Sequence, residues 1–253
     1  LEEAVGGVGG AAFGHSAARA GPLYESLTDA FQGLAICNLL LHYNPEQFRT
    51  DLVFAAGARR QLLQVCLRDA ASPLHRALSR TEALFCAIAA RDEVLTNELV
   101  RLGPTEWIPA GEYEADFCYH AILSHLSAPQ NATGFASSTD LRDRFEASLE
   151  TADPRLDLCR ASLDEDADAF RIAFDDLLTE RATWAEEMYP FRRDQLLFLT
   201  ARHVFVEGLA LLALADQKGW PMPDEYAFYP RPGRLEPTSP MPEDLFIDVV
   251  PFM

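Results

Sequence analysis

The chain has 253 residues, of which 49% are apolar and 24% charged, and its formal net charge is -18. That length suits one large domain or two small ones, with enough apolar surface to build a core without disulfides or metals. The charge argues against nucleic acid and anionic membrane as direct ligands, because both repel a polyanion. It favours a protein partner with a basic surface, although a role in solubility alone would explain it equally well.

Apolar residues recur at helical spacing along most of the chain, and no strand-rich block with period-two alternation is present. The predicted helices of the first half begin at Pro22, at Pro45, at Pro73 with Ser72 as N-cap, and after the cap Asp92. The fourth of these is predicted to stop at Gly103. Residues 104–116 form a predicted loop, and a fifth helix follows it as far as Ser127.

The second half continues the helical pattern. Helices are predicted near 139–151, from Pro154 behind Asp153, and after Asp166. A last long helix is predicted over 191–218, with Gly219 as its stop, and the segments 227–229 and 246–250 are predicted to be short extended pieces. The sequence therefore predicts an all-α fold.

A faint repeat suggests how these helices are arranged. Residues 86–92 and 159–166 each read as a helix end, an aspartate-capped corner and a new helix, followed by Trp107 or Trp184. This pattern predicts an irregular stack of antiparallel helical hairpins, solenoid-like and at most tetratricopeptide-like, with an irregular bundle as the alternative. The predicted organisation is a flexible Gly/Ala-rich arm (1–22), one helical domain (23–220) and an extended acidic, proline-rich tail (221–253) that packs on the domain or trails from it.

Cysteine usage and the ends of the chain bear on its compartment. The five cysteines are odd in number, widely spaced and embedded in apolar helical patterns, which predicts small buried residues in a reducing compartment. The opening residues lack a basic segment, and the longest apolar stretch, 203–215, is too short to span a membrane. These features predict a cytoplasmic protein.

Few residues suggest catalysis or a cofactor. Asp116 and His120 lie four residues apart, beside Glu112 and Glu114, so a metal-dependent enzyme is one hypothesis; a hydrogen-bonded histidine under an acidic loop is the other. His203 and Glu207 have the same spacing and suggest either an acid–base pair or a contact within one helix. Neither pattern is specific, so no catalytic residue and no cofactor is predicted.

Two acidic segments are the candidate partner-binding surfaces. Tryptophan and tyrosine among acids on a loop are typical of recognition of an Arg- or Lys-rich partner, although Trp107, Ile108 and Tyr113 would alternatively fold back onto the helices. The second segment is a predicted helical corner, whose acids would also complement a helix dipole. The candidate residues are Glu106, Trp107, Glu112, Tyr113, Glu114 and Asp116 on the loop, and Asp164, Glu165, Asp166 and Asp168 at the corner.

Several short motifs follow one another along the chain: EALFCAIAARD (82–92), PTEW (104–107), EYE (112–114), DFCYH (116–120), PRLDLCRA (154–161), DAF (168–170), VEGLALL (206–212), GW (219–220) and EY (225–226). In their order and spacing they resemble the immunity 49 family of bacterial polymorphic-toxin systems. The resemblance covers roughly residues 25–235. It implies a non-enzymatic antitoxin that binds and neutralises a cognate secreted toxin in the producer's cytoplasm. A helical scaffold or adaptor without a toxin partner is the alternative, and the oligomeric state is open.

Overall fold

The computed structural model of the protein describes residues 17–68, 73–235 and 238. Within these residues the fold is all-α, as predicted, with ten α-helices and no strands. The helices are α1 (Ala17–His42), α2 (Pro45–Arg68), α3 (Ala83–Ala89), α4 (Glu93–Leu102), α5 (Glu114–Ser127), α6 (Ser138–Ser148), α7 (Pro154–Leu163), α8 (Ala167–Arg192), α9 (Leu196–Ala201) and α10 (Val206–Gln217).

Helices that follow one another in the chain pack together as pairs. Extensive contacts join α1 to α2, α5 to α6 and α7 to α8. The short helix α3 lies against both α2 and the distant α10, so the last helix returns to the first half of the chain. One hydrophobic cluster includes residues of all these helices, and a second, smaller cluster lies between α1 and α2. The stacking order of hairpins stays a prediction.

Aspartate caps begin three of the helices, as predicted. The side chains of Asp92, Asp153 and Asp166 each accept a hydrogen bond of 2.9 Å from a backbone N–H in the first turn of α4, α7 and α8. Each cap satisfies an N–H that the helix itself leaves unpaired. The caps explain why these helices begin where they do.

The faint repeat corresponds to two corners with the same backbone geometry. Arg91 and Glu165, the residues before the caps Asp92 and Asp166, have φ values of 57° and 56°. In each corner the N–H of the capping aspartate donates to the carbonyl of an alanine five residues earlier, at 3.1 Å and 2.9 Å. The repeated sequence pattern thus encodes a repeated turn between helices.

The predicted third helix is wrong in its first part. Two 3-10 turns, Pro73–Arg76 and Leu78–Arg80, precede α3, and Ser72 lies outside the described residues. The buried guanidinium of Arg59 donates to the backbone carbonyls of His75 and Ala77 at 2.5 and 2.6 Å. The Ala77 carbonyl also accepts from the N–H of Arg80 at 3.3 Å, which is the i+3 bond of a 3-10 turn, and the regular α-helix starts only at Ala83.

The predicted last long helix is also wrong. Helix α8 continues to Arg192, and the chain then forms α9 and, after a break at 202–205, α10. The N–H of Phe205 donates to the carbonyl of Phe228 at 3.3 Å, so a later segment takes the bond that a continuous helix would have used. The predicted stop is confirmed, because Gly219 follows α10 with φ of +70°.

The two ends of the predicted domain differ from expectation in detail. Helix α1 begins at Ala17, five residues before the predicted start at Pro22, and residues 1–16 lie outside the described part. The segment 227–229 is a tight turn closed by a bridge between Tyr226 and Tyr229, not an extended piece, and 246–250 is not described. The division into arm, domain and tail stays a prediction.

The remaining expectations concern burial. Four cysteines are buried and Cys37 is partly buried, and all five are free thiols. None of the helices in the described ranges combines the length and apolar character that a membrane span requires.

Candidate functional site

Trp107 folds back onto the helices from the predicted recognition loop. Its indole Nε1 donates to the carbonyl of Glu112 at 3.0 Å, and its ring packs against the main hydrophobic cluster. Ile108 is also half-buried, whereas the Tyr113 side chain is 81% exposed. Of the three large apolar side chains of the loop, Trp107 and Ile108 are therefore half-buried and Tyr113 lies on the surface.

Glu112 is occupied by a hydrogen-bonding role within the fold. Its Oε2 accepts from both the backbone N–H and the hydroxyl of Ser79, each at 2.9 Å. Burial raises the pKa of the Glu112 carboxyl, and the bonds from Ser79 act against that rise. This carboxylate ties the loop to the second 3-10 turn.

The sequence predicts that Glu114 and Asp116 lie on the loop, but both lie in the first turn of α5. Each is neutralised by an arginine from another helix: Glu114 by Arg144 of α6 at 2.7 Å, and Asp116 by Arg155 of α7 at 2.9 Å. The loop sequence contains no base, yet the fold supplies two. Of the four predicted acids in this region, only Glu106 is exposed without an ion pair in the described structure.

The Asp116–His120 pair does not form a metal site. His120 Nδ1 donates to the backbone carbonyl of Asp116 at 2.9 Å, while the Asp116 carboxylate binds Arg155. Burial lowers the pKa of His120 to about 4, so the imidazole is neutral. Among the described residues, no group of three or more His, Cys, Asp and Glu side chains is placed to hold a metal ion. The hydrogen-bonded histidine of the second hypothesis is confirmed.

His203 and Glu207 do not share a helix, because the break before Val206 separates them. The Tyr119 hydroxyl donates to Glu207 Oε1 at 2.7 Å, across 88 residues of sequence. Burial raises the pKa of Glu207 to about 7, although the bond from Tyr119 and the nearby Arg155 lower it in part. This polar contact joins α5 to α10 inside the scaffold, and neither sequence hypothesis anticipated it.

The acidic corner between α7 and α8 has the opposite character to the loop. Asp164, Glu165, Asp166 and Asp168 are all exposed. Asp166 caps α8, and the nearest cation to Asp168, Arg171, is 4.0 Å away. No ion pair within the described residues involves Asp164 or Glu165. Within the described residues, three of the four acids of the loop are therefore bound inside the fold, whereas Asp164 and Glu165 of the corner have no ion pair.

Comparison with known proteins decides the family. Residues 40–231 match the family described as immunity protein 49, which is well over half of the chain. The chain belongs to the immunity protein 49 family. No curated protein and no solved structure matches it.

Both candidate surfaces of this immunity protein 49 family member lie inside the matched region. Residues 40–231 include the loop with Glu106 and Tyr113 and the corner around Glu165. They also include the hydrogen bond between Tyr119 and Glu207. Most of α1, residues 17–39, and the residues from 232 onward fall outside it. The features described above therefore belong to the part of the chain that carries family membership.

Proposed function

We propose that this protein is an immunity protein that binds and neutralises a cognate secreted bacterial toxin in the cytoplasm, by stoichiometric protein–protein inhibition and without catalysis. The match of residues 40–231 to the immunity protein 49 family is the observation that carries the proposal. The net charge of -18 supports a protein partner with a basic surface over nucleic acid or membrane.

The proposed binding surface is the exposed part of the predicted one. Glu106 and Tyr113 on the loop, together with the corner acids, present charge and one aromatic ring to solvent. A basic partner would gain both a faster encounter and favourable contacts there. Trp107, Glu112, Glu114 and Asp116 are the other predicted residues of the loop, and their polar groups bind within the fold.

The test is co-expression with the product of the adjacent gene. We expect that product to be toxic alone, to be tolerated when this protein is present, and to co-purify with it. Calorimetric titration of the purified pair should then show a fixed stoichiometry, with toxin activity falling to zero at the equivalence point. A neighbour that is neither toxic nor bound would refute the proposal and favour the scaffold or adaptor alternative.

A further inference from the structure

A groove runs between α7 and α8, beside the acidic corner. Its volume is about 320 Å³, and its floor consists of Ala161, Ala169 and Ala173, whose short side chains leave the helix surfaces open. Ile172 projects beside this floor with 57% of its surface exposed. Asp176 lies one turn further along the same face of α8. The groove thus combines an apolar wall with a carboxylate at its end.

The carboxylates that line the groove outnumber its bases. Asp164, Asp166 and Asp176 line it together with Asp157 and one base, Arg160. That base is already engaged, because its guanidinium binds Glu146 at 2.8 Å and Asp157 at 3.1 Å. Asp164 and Asp176 take part in no ion pair among the described residues. The groove therefore carries a net negative charge that an external cation can satisfy.

A second depression extends this surface beyond Arg160. Its volume is about 300 Å³, it shares Asp157 and Arg160 with the groove, and Glu146 and Glu150 add two further carboxylates. The two concavities lie side by side on α7. Their continuity makes an acidic strip that is longer than one side chain, as an interface with a protein requires.

We infer that the groove binds an arginine or lysine side chain presented by the toxin. The alkyl stem of either residue would lie along Ile172 and the alanine floor, and its cationic end would meet the carboxylate at one end of the groove, Asp164 or Asp176. A purely apolar partner group would leave the carboxylates unpaired, and a purely ionic one would leave Ile172 exposed. This inference rests on the proposed function and adds to it the surface and the chemistry that the surface recognises.

The experiment compares two double charge reversals on the same scaffold. In the groove variant, Asp164→Lys/Asp176→Lys, two unpaired carboxylates become bases. In the control, Glu186→Lys/Glu187→Lys, two exposed acids of α8 change by the same total charge outside the groove. Because none of these four acids has an ion pair in the described structure, both variants should fold, which their circular dichroism and melting temperatures will verify.

Affinity for the product of the adjacent gene is measured by calorimetry, and protection by survival. We expect the groove variant to bind at least tenfold more weakly and the control to change less than threefold, since like charges at an interface repel. Ile172→Ala should weaken binding as well, by roughly three- to tenfold, because the apolar wall is lost.

The outcomes separate the two proposals. If the wild-type protein neither binds nor protects against the neighbour's product, both the proposed function and this inference are refuted. If the wild-type protein protects and the groove variant binds as tightly as the control, the groove assignment is refuted while the immunity function stands. A selective loss in the groove and Ile172 variants supports both.

Discussion

The contact between Gly208 and Tyr229 makes a sharp prediction about how the segment after α10 docks. Gly208 lies in the first turn of α10, and a Cβ built there would be 2.6 Å from Cε1 of Tyr229 and closer still to Cζ and Oη. The Tyr229 ring is 1% exposed and packs against the rings of Phe174, Phe205 and Tyr226. Because the ring is enclosed and the glycine belongs to a hydrogen-bonded helix, neither partner can move aside freely.

The magnitude follows from two opposing effects. Overpacking a well-filled site costs about 1–3 kcal/mol, and expelling the ring instead would forfeit the burial of Tyr229, which is of similar size. Replacing a helical glycine by alanine gains up to about 1 kcal/mol. Gly208→Ala should therefore destabilise the protein by roughly 1–3 kcal/mol. Gly33→Ala in α1 is the matched control: its Cβ would meet Thr200 Oγ1 at an ordinary 3.7 Å, so a gain of up to about 1 kcal/mol is expected.

The assay is urea denaturation followed by circular dichroism, with a double-mutant cycle. In a Tyr229→Ala background the ring is absent, so the added methyl group of Gly208→Ala should cost nothing further, and the coupling should equal the cost of the clash. Equal stability of the Gly208→Ala and Gly33→Ala proteins would refute the reasoning. So would a Gly208→Ala cost that persists when Tyr229 is truncated.

Substitutions at three further positions test other local claims. The pKa of Glu207, raised by burial from 4.5 to about 7, means that the wild type loses stability as the pH rises through that range; the full shift corresponds to about 3 kcal/mol. Glu207→Gln keeps an acceptor for Tyr119. In urea titrations, its free energy of unfolding relative to the wild type should be about 1–3 kcal/mol higher at pH 8 than at pH 5. An equal difference at both pH values would contradict this expectation. Gly219→Ala should cost about 1 kcal/mol, seen as a lower melting temperature, because φ is +70° while no atom lies within 4 Å of the new Cβ. Asp92→Ala should cost about 1 kcal/mol in the same melt by removing the cap of α4, and Asp92→Ser should recover most of it.

Features that depend on neighbours in sequence were predictable. A capping aspartate reaches an N–H two or three residues away, so Asp92, Asp153 and Asp166 marked helix starts without knowledge of the fold. The stop at Gly219 is equally local, since only a residue tolerant of positive φ suits that position. The paired corners were visible as a weak repeat, although the left-handed conformation of Arg91 and Glu165 was not.

Features that depend on distant partners could not be read from the pattern. The last predicted helix breaks where Phe205 bonds to Phe228, and the third begins late where Arg59 binds the carbonyls of His75 and Ala77. Both partners lie more than fifteen residues away in sequence, where helical periodicity carries no information. The same limit applied to the binding surface, because the sequence of an acidic loop does not indicate which arginines will neutralise it.

The acids of this protein therefore fall into classes that total charge does not distinguish. Glu114 and Asp116 hold helices together through arginines, and Asp166 caps α8, so each contributes to folding whether or not a partner exists. Asp164 and Asp176 have no such role within the described structure, yet they face a groove with an exposed isoleucine. Carboxylates placed together without a structural partner repel one another and slightly destabilise the fold. The groove proposal accounts for these two residues, and their reversal should then affect binding while leaving stability intact.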